Sequence, residues 1–353
     1  MNDKGRLRIF ISTPLETEHV ERIRAVDPGR LDVIYERGLL PATRYVADHE
    51  GVDGFALTAD QEKRWRAHLE RADVLWDFPP PASDGTDGLA FATNLKWIQT
   101  TSSGVGQRVQ RLGLQDSDLL ITTARGVHAG PLAEFVFLTL LSHEKRLRHL
   151  EEERRKHRWE RFCGGGLEGE TLAIIGVGGI GRRVAAVGRS FGMRVVALAR
   201  RGSDKTPDQI GVDAIFAPDE LHDMLSRTDA LVLSIPHTAE TEGLIDKAAF
   251  EALKPGAVFV NVARGQLVDE ASLIEALQSG RIAFAGLDVF AVEPLPADSP
   301  LWEMPNVLIS PHSASTAESE NGKITDIFCY NLRCYLEGRP GDMQNVFDKV
   351  RLY

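Results

Sequence analysis

The sequence is poor in cysteine, carries no excess of positive charge and contains no long apolar run. Three cysteines, Cys163, Cys329 and Cys334, occur among 353 residues. An odd number without metal-ligand spacing argues against a disulfide scaffold and against a bound metal, and predicts thiols in a reducing cytoplasm. The charges sum to 41 − 51 = −10, so nucleic acid and anionic lipid are not expected partners. No run approaches the ~20 apolar residues that cross a bilayer. The opening MNDKGRLRIF lacks the apolar stretch of a signal peptide, so no secretory leader is expected. Apolar residues make up 43%, charged residues 26%, and there are 32 glycines, which is ordinary globular usage. At roughly 150 residues per domain the length predicts two domains.

Short apolar stretches alternate with helical ones almost throughout. RLRIFIST (6–13), LDVIYE (31–36), ADVLWDF (72–78), KWIQTTS (96–102) and DLLITTA (118–124) read as one set of strands. TLAIIG (171–176), RVVALAR (194–200), ALVLSIP (230–236), AVFVNVA (257–263), FAGLDVF (284–290) and NVLISPH (306–312) read as a second. Such continuous apolar runs mark strands buried on both faces, and the alternation predicts parallel sheets built from βαβ units. Between the sets a long helix is expected from Gly130-Pro131 to about Arg161. Its charged half holds eight Lys or Arg between Lys145 and Arg161, interspersed with four glutamates and preceded by Glu144. Some stand at i,i+4 spacing, which reads as a solvated or partner-facing surface rather than a nucleic-acid patch. A final helix over 314–338 follows the second set and is long enough to return to the first domain. The expected architecture is α/β, with two doubly wound parallel-sheet domains. Residues 1–124 and 313–353 form a discontinuous domain, into which 125–312 is inserted.

Strand TLAIIG runs into Gly176-Val177-Gly178-Gly179-Ile180-Gly181 and then a helical stretch. In that strand-to-helix context a G-x-G-x-x-G turn reads as a dinucleotide site. Gly176 permits the tight turn, Gly178 lets backbone approach a pyrophosphate, and Gly181 lets the helix pack on the strand. The helix N-terminus offers N–H donors to phosphate. An NAD site usually has a carboxylate about 20 residues on, bonding the ribose 2′-hydroxyl. Here Ala199, Arg200, Arg201 and Ser203 stand there instead. Two guanidiniums suit a 2′-phosphate, so NADP(H) is the preferred cofactor and NAD(H) the alternative.

Three polar sites follow later strands: Asn261-Val262-Ala263-Arg264-Gly265, Glu293-Pro294 and Pro311-His312-Ser313-Ala314. Each alone could be structural. Together, at equivalent ends of neighbouring strands, they read as functional. With these motifs in order, and with HAGPLAEFV (128–136), SIPHTAETEGLI (234–245), NVARGQLVDE (261–270), LDVFAVEPLP (287–296) and PHSA (311–314), the sequence resembles the D-isomer-specific 2-hydroxyacid dehydrogenases, the glyoxylate/hydroxypyruvate reductases among them. The resemblance implies a Rossmann nucleotide-binding domain inserted into a flavodoxin-like substrate domain. It implies an active site in the cleft between them and a homodimer built around the long helix.

It also implies a catalytic set of Arg264, Glu293 and His312. A guanidinium grips a carboxylate and polarises the adjacent carbonyl. An imidazole exchanges protons near neutrality, and a carboxylate bonded to its other nitrogen orients the ring. Ser103, Gly104 and Val105, in the stretch Thr101–Gly106, match the turn whose backbone receives the substrate carboxylate, together with Arg264 and His312. Pro236 and Ala263 join the Gly176–Gly181 turn as cofactor contacts. Asp269 reads as a helix cap rather than a catalyst. Gly106, Gln107 and Arg108 depart from the family pattern, which often has an acidic and an amide residue there.

The loop Trp76–Pro81 offers aromatic and proline surface without Lys or Arg, which disfavours a phosphorylated substrate. Trp302 reads equally as a pocket wall or a packed surface aromatic. The expected reaction is hydride transfer between the nicotinamide and a small 2-keto or 2-hydroxy acid. An NAD-linked D-2-hydroxyacid dehydrogenase and a dinucleotide-sensing, corepressor-like binding protein are the alternatives.

Overall fold

The computed structural model describes residues 5–199 and 206–352. Arg200, Arg201 and Ser203 lie outside the described residues. The chain forms two compact units: Met1–Val127 with Thr316–Tyr353, and His128–Ser315. The first carries β1 (Leu7–Ile11), β2 (Leu31–Ile34), β3 (Val74–Trp76), β4 (Trp97–Gln99) and β5 (Leu120–Thr122). The second carries β6 (Thr171–Ile175), β7 (Arg194–Leu198), β8 (Ala214–Phe216), β9 (Ala230–Leu233), β10 (Ala257–Asn261), β11 (Ile282–Leu287) and β12 (Val307–Ile309).

The five-stranded sheet of the first unit has the order β2-β1-β3-β4-β5. All its neighbours are parallel, which is the flavodoxin-like arrangement. The seven-stranded sheet of the second runs β12-β11-β10-β9-β6-β7-β8. It too is parallel throughout, a Rossmann order with an added strand. β6 and β10 are buried along their whole length, as strands covered by helices on both faces must be. In each sheet the chain winds outward in both directions from one pair of central strands. That switch point is β1/β3 in the first unit and β6/β9 in the second. Ligands bind outside the carboxyl ends of strands at such points.

Two expectations need correction. The long helix is two helices, Ala129–Glu144 and Leu147–Arg155. Arg146 breaks it with a left-handed backbone (φ 50°). The first helix buries seven residues in the core, whereas the second buries only Glu153. The second therefore has no apolar face to hold it in line with the first. Chain beyond Arg155 is not helical: the Gly165 N–H donates to the Glu144 carbonyl, 2.9 Å away, and Lys145 Nζ donates to the Gly165 carbonyl at 2.8 Å. The charged side chains pair among themselves, Arg155 with Glu151 and Lys156 with Glu152 and Glu153. Second, β8 is a strand that the sequence reading did not include. The last helix spans Glu320–Leu336 and packs in the first unit's core through Ile324, Phe328 and Leu332. Among the described residues no helix is long and apolar enough to cross a membrane, and no group of three or more His, Cys, Asp or Glu is arranged to hold a metal.

Candidate active site

In the second unit the glycine turn lies at the switch point. Gly176 has φ 109°, and a Cβ there would stand 2.6 Å from the Ser234 carbonyl oxygen and 2.5 Å from Ile235 Cγ2. The turn after β6 is thus pressed against the turn after β9, and only glycine permits it. Ser234 Oγ donates to the Gly176 carbonyl at 2.8 Å and ties the two turns. A Cβ at Gly181 would collide with the Gly176 carbonyl, which sets how closely the helix Gly179–Ser190 follows the strand. Gly178 differs: a Cβ there would meet nothing within 4 Å. It is the N-cap of that helix, without a side-chain cap. Gly179 and Ile180 open the helix. Pro236 lies beyond the Ser234 turn, its carbonyl accepting from Thr241 Oγ1 at 3.0 Å.

The turns after β10, β11 and β12 carry the other groups. Asn261, the last residue of β10, is buried and clamps its turn. Its Oδ1 accepts from the Ala263 N–H and its Nδ2 donates to the Arg264 carbonyl, both at 3.0 Å. Ala263 is buried, and its carbonyl accepts from Arg264 Nη1 at 2.6 Å. A Cβ at Gly265 would collide with the backbone of Phe290 and Ala291, so glycine is what lets the Arg264 turn lie against the Glu293 turn. Burial pulls the Arg264 guanidinium below its ordinary range, and the charges of Glu293 and Asp288 oppose that. Glu293 accepts from the Phe290 N–H through Oε1 at 3.0 Å and pairs through Oε2 with His312 Nδ1 at 2.8 Å.

His312 has a left-handed backbone (φ 54°). That conformation is held by Asp288, a residue the sequence reading did not single out. The Asp288 carbonyl accepts from the His312 N–H at 3.0 Å. Its buried carboxylate accepts from Ser310 Oγ at 2.6 Å and from the Ala314 N–H at 2.9 Å. The available signal was a charged residue at the end of an otherwise apolar strand, LDVF. Glu293 therefore contacts the imidazole and acts electrostatically on the guanidinium. The imidazole remains half exposed, at 45%.

In the first unit, Ser103 and Gly104 are exposed and Val105 is buried. Gly104 donates its N–H to Ser102 Oγ at 3.2 Å. Arg108 lies 4.5 Å over the Phe78 ring, and its Nη2 donates to the Pro79 carbonyl at 3.1 Å. The loop after β3 therefore has a guanidinium beside it, and the sequence argument against phosphorylated substrates loses its premise. Asp269 caps the helix Glu270–Gln278 through the Ser272 N–H. Trp302 is half exposed, its Nε1 donating to the Pro296 carbonyl at 2.9 Å.

The family model described as D-isomer specific 2-hydroxyacid dehydrogenase, NAD binding domain, matches residues 137–314. A D-3-phosphoglycerate dehydrogenase of Mycobacterium leprae is 38% identical over 302 residues, covering 80% of this chain and 54% of that protein. A glyoxylate reductase of Aeropyrum pernix is 33% identical over 237 residues, covering 64% of this chain and 70% of that one. The chain spans about half the length of the phosphoglycerate dehydrogenases it matches. Among solved structures, a family protein from Aeromonas salmonicida superposes with TM-score 0.77 at 32% identity, over 98% of this chain and 99% of that one. A family protein from Xanthobacter autotrophicus, in complex with NADPH and MES, superposes with TM-score 0.74 at 30% identity, over 99% and 100%. With these similarities in fold and sequence, and with its glycine turn, arginine, glutamate and histidine on successive strand ends, the chain belongs to the D-isomer specific 2-hydroxyacid dehydrogenase family.

Proposed function

We propose that the protein is an oxidoreductase that reduces a small 2-keto acid to its D-2-hydroxy acid, with NADP(H) preferred over NAD(H). The observation that carries this reading is the Arg264–Glu293–His312 arrangement on the strand ends of a nucleotide-binding sheet. Arg264 holds the substrate carboxylate and draws electron density from the adjacent carbonyl. His312 gives its proton to the carbonyl oxygen in reduction and takes it back in oxidation. Glu293, bonded to Nδ1, orients the ring and leaves Nε2 as the nitrogen that faces substrate. Ser103, Gly104 and Val105 receive the carboxylate through backbone N–H groups.

The cofactor, when bound, supplies the hydride. The residues present suit it. Gly176 and Gly181 are required by packing, whereas the space at Gly178 is what a pyrophosphate on the helix N-terminus needs. Pro236 follows β9, the neighbour of β6, and Ala263 follows β10, one strand further along the sheet. Arg200, Arg201 and Ser203 follow the strand that, in NAD-specific sites, leads to a ribose-binding carboxylate. The NADPH bound by the Xanthobacter autotrophicus relative is in keeping with this assignment.

The partner is a second copy of the chain. Trp159 is 97% exposed in the single chain, and a tryptophan on the segment that follows the charged helix suits an interface. The unbridged thiols of Cys163, Cys329 and Cys334 suit a cytoplasmic setting. Glyoxylate, hydroxypyruvate, phenylpyruvate and a phosphorylated 2-keto acid, each assayed with NADPH and with NADH, test the reading. Turnover of one or more unphosphorylated acids, with kcat/KM higher for NADPH, is expected. Equal kcat/KM with the two cofactors would remove the cofactor preference. No turnover of any acid, with dinucleotide still bound, would remove the enzymatic reading.

A further inference from the structure

The turn after β4 is assigned above to the substrate carboxylate, and what holds its shape lies on the neighbouring strand. Trp76 of β3 pairs with Gln99 of β4, so Asp77 and the Thr100-Thr101 pair leave the sheet side by side. The Asp77 N–H donates to the Gln99 carbonyl at 2.7 Å. Asp77 then takes a left-handed backbone (φ 63°), a conformation uncommon outside glycine and tolerated best by Asn and Asp. From that conformation its carboxylate reaches across to the adjacent turn. Oδ2 accepts from Thr101 Oγ1 at 2.6 Å. Oδ1 accepts from the Phe78 N–H at 2.8 Å and lies 3.5 Å from the Thr101 N–H.

Thr101 is 6% exposed, so the donor end of its bond to the half-buried Asp77 carboxylate is shielded from water. Such a charge-assisted bond is stronger than a neutral one. Beneath Asp77, the fully buried Ser12 donates its hydroxyl to the Trp76 carbonyl at 2.8 Å and lies 3.0 Å from the Asp77 carbonyl. Within the turn, Thr100 Oγ1 donates to the Ser102 carbonyl at 2.6 Å. The hydroxyls of Thr100 and Thr101 are thus spent on the turn and its support, while Ser103 and Gly104 face outward. An imidazole stands nearby. His49, although burial opposes its charge, is held above its ordinary range by the Glu320 hydrogen bond and by the fields of Asp77, Glu320 and Glu16.

We propose that Asp77 is a positioning residue that fixes the Thr101–Val105 turn in the shape that receives a substrate carboxylate. The proposal rests on the functional reading of that turn. Asp77→Gly keeps the left-handed backbone and removes the acceptor. Asp77→Asn keeps both the backbone tolerance and an oxygen for Thr101. Thr101→Val removes the donor. Two readouts on the full chain decide the matter: steady-state kinetics with NADPH and the best keto acid, and amide hydrogen exchange of residues 100–106.

Asp77→Gly and Thr101→Val should each raise KM for the keto acid about tenfold, the worth of one shielded hydrogen bond. kcat should stay within about twofold and NADPH affinity should be unchanged, because the loss falls on substrate binding. The double variant should be no worse than either single one, since both remove the same bond. Exchange in the turn should quicken in parallel, and Asp77→Asn should restore both readouts. Unchanged exchange in Asp77→Gly would overturn Asp77 as the positioning residue, even if wild-type protein reduced no keto acid. Quickened exchange with unchanged KM would instead overturn the turn as the carboxylate receiver, and with it the proposal.

Discussion

Glu293 meets an imidazole and acts on a guanidinium, and each places a different demand on it. Its Oε2 lies 2.8 Å from His312 Nδ1, which orients the ring so that, in the proposed reaction, Nε2 is left for substrate. Its charge also supports Arg264, which burial alone would make less basic. Glu293→Gln keeps the size of the side chain and removes the charge. It should lower kcat/KM on the order of 10²-fold, through loss of the charge-assisted bond that orients the imidazole. Arg264→Lys keeps a positive charge and loses the two-pronged grip on a carboxylate. It should lower kcat/KM by about 10²–10³-fold while NADPH affinity, followed by cofactor fluorescence, stays at the wild-type value. If Arg264→Lys weakened cofactor binding as much as turnover, its place in substrate binding would be lost.

Turns between elements hold these residues, and one glycine is decisive. Gly265 lets the turn after β10 lie directly on the backbone of Phe290 and Ala291. No side-chain rearrangement relieves a clash with main chain. Gly265→Ala should therefore destabilise the protein by roughly 3 kcal/mol, at the upper end of what overpacking costs, and separate Arg264 from Glu293. A melting temperature unchanged from wild type would show that the turn yields. The strands were legible in the sequence because burial on both faces leaves a continuous apolar run, as in TLAII and AVFVN. β8 was not, because Ala214–Phe216 is three half-buried residues at the sheet edge. The break at Arg146 was not legible either, since no glycine or proline marks it. The arginine, glutamate and histidine of the candidate site were visible through their motifs. Asp288 and Asp77 were not, because each acts through bonds to backbone and hydroxyl groups that only the folded chain brings near.

At the scale of the whole molecule, one carboxyl couples stability to pH near neutrality. Glu170 lies just before β6, and burial, reinforced by the charges of Glu144 and Asp229 and opposed by Lys254, pushes it up from 4.5 to about 7. Between those values the folded chain holds a proton that the unfolded chain has released. Stability therefore falls as pH rises through that window and is lowest above it. The group is partly solvated, so the effect is on the order of 1 kcal/mol. Glu170→Gln should melt about 1–2 °C higher than wild type at pH 8 and match it near pH 4.5. Equal melting temperatures at pH 8 would mean that Glu170 ionises freely in the fold.

The most direct measurement on the proposed chemistry is the keto-acid reduction rate of His312→Asn with NADPH. Asparagine tolerates the left-handed backbone at this position, so the turn built on Asp288 is kept while the proton donor is removed. The expected result is a fall in kcat/KM of about 10³-fold, within the range for loss of a general acid, with NADPH bound as in wild type. Reduction at the wild-type rate would contradict the assignment of His312, and of the arrangement around it, as the reducing site.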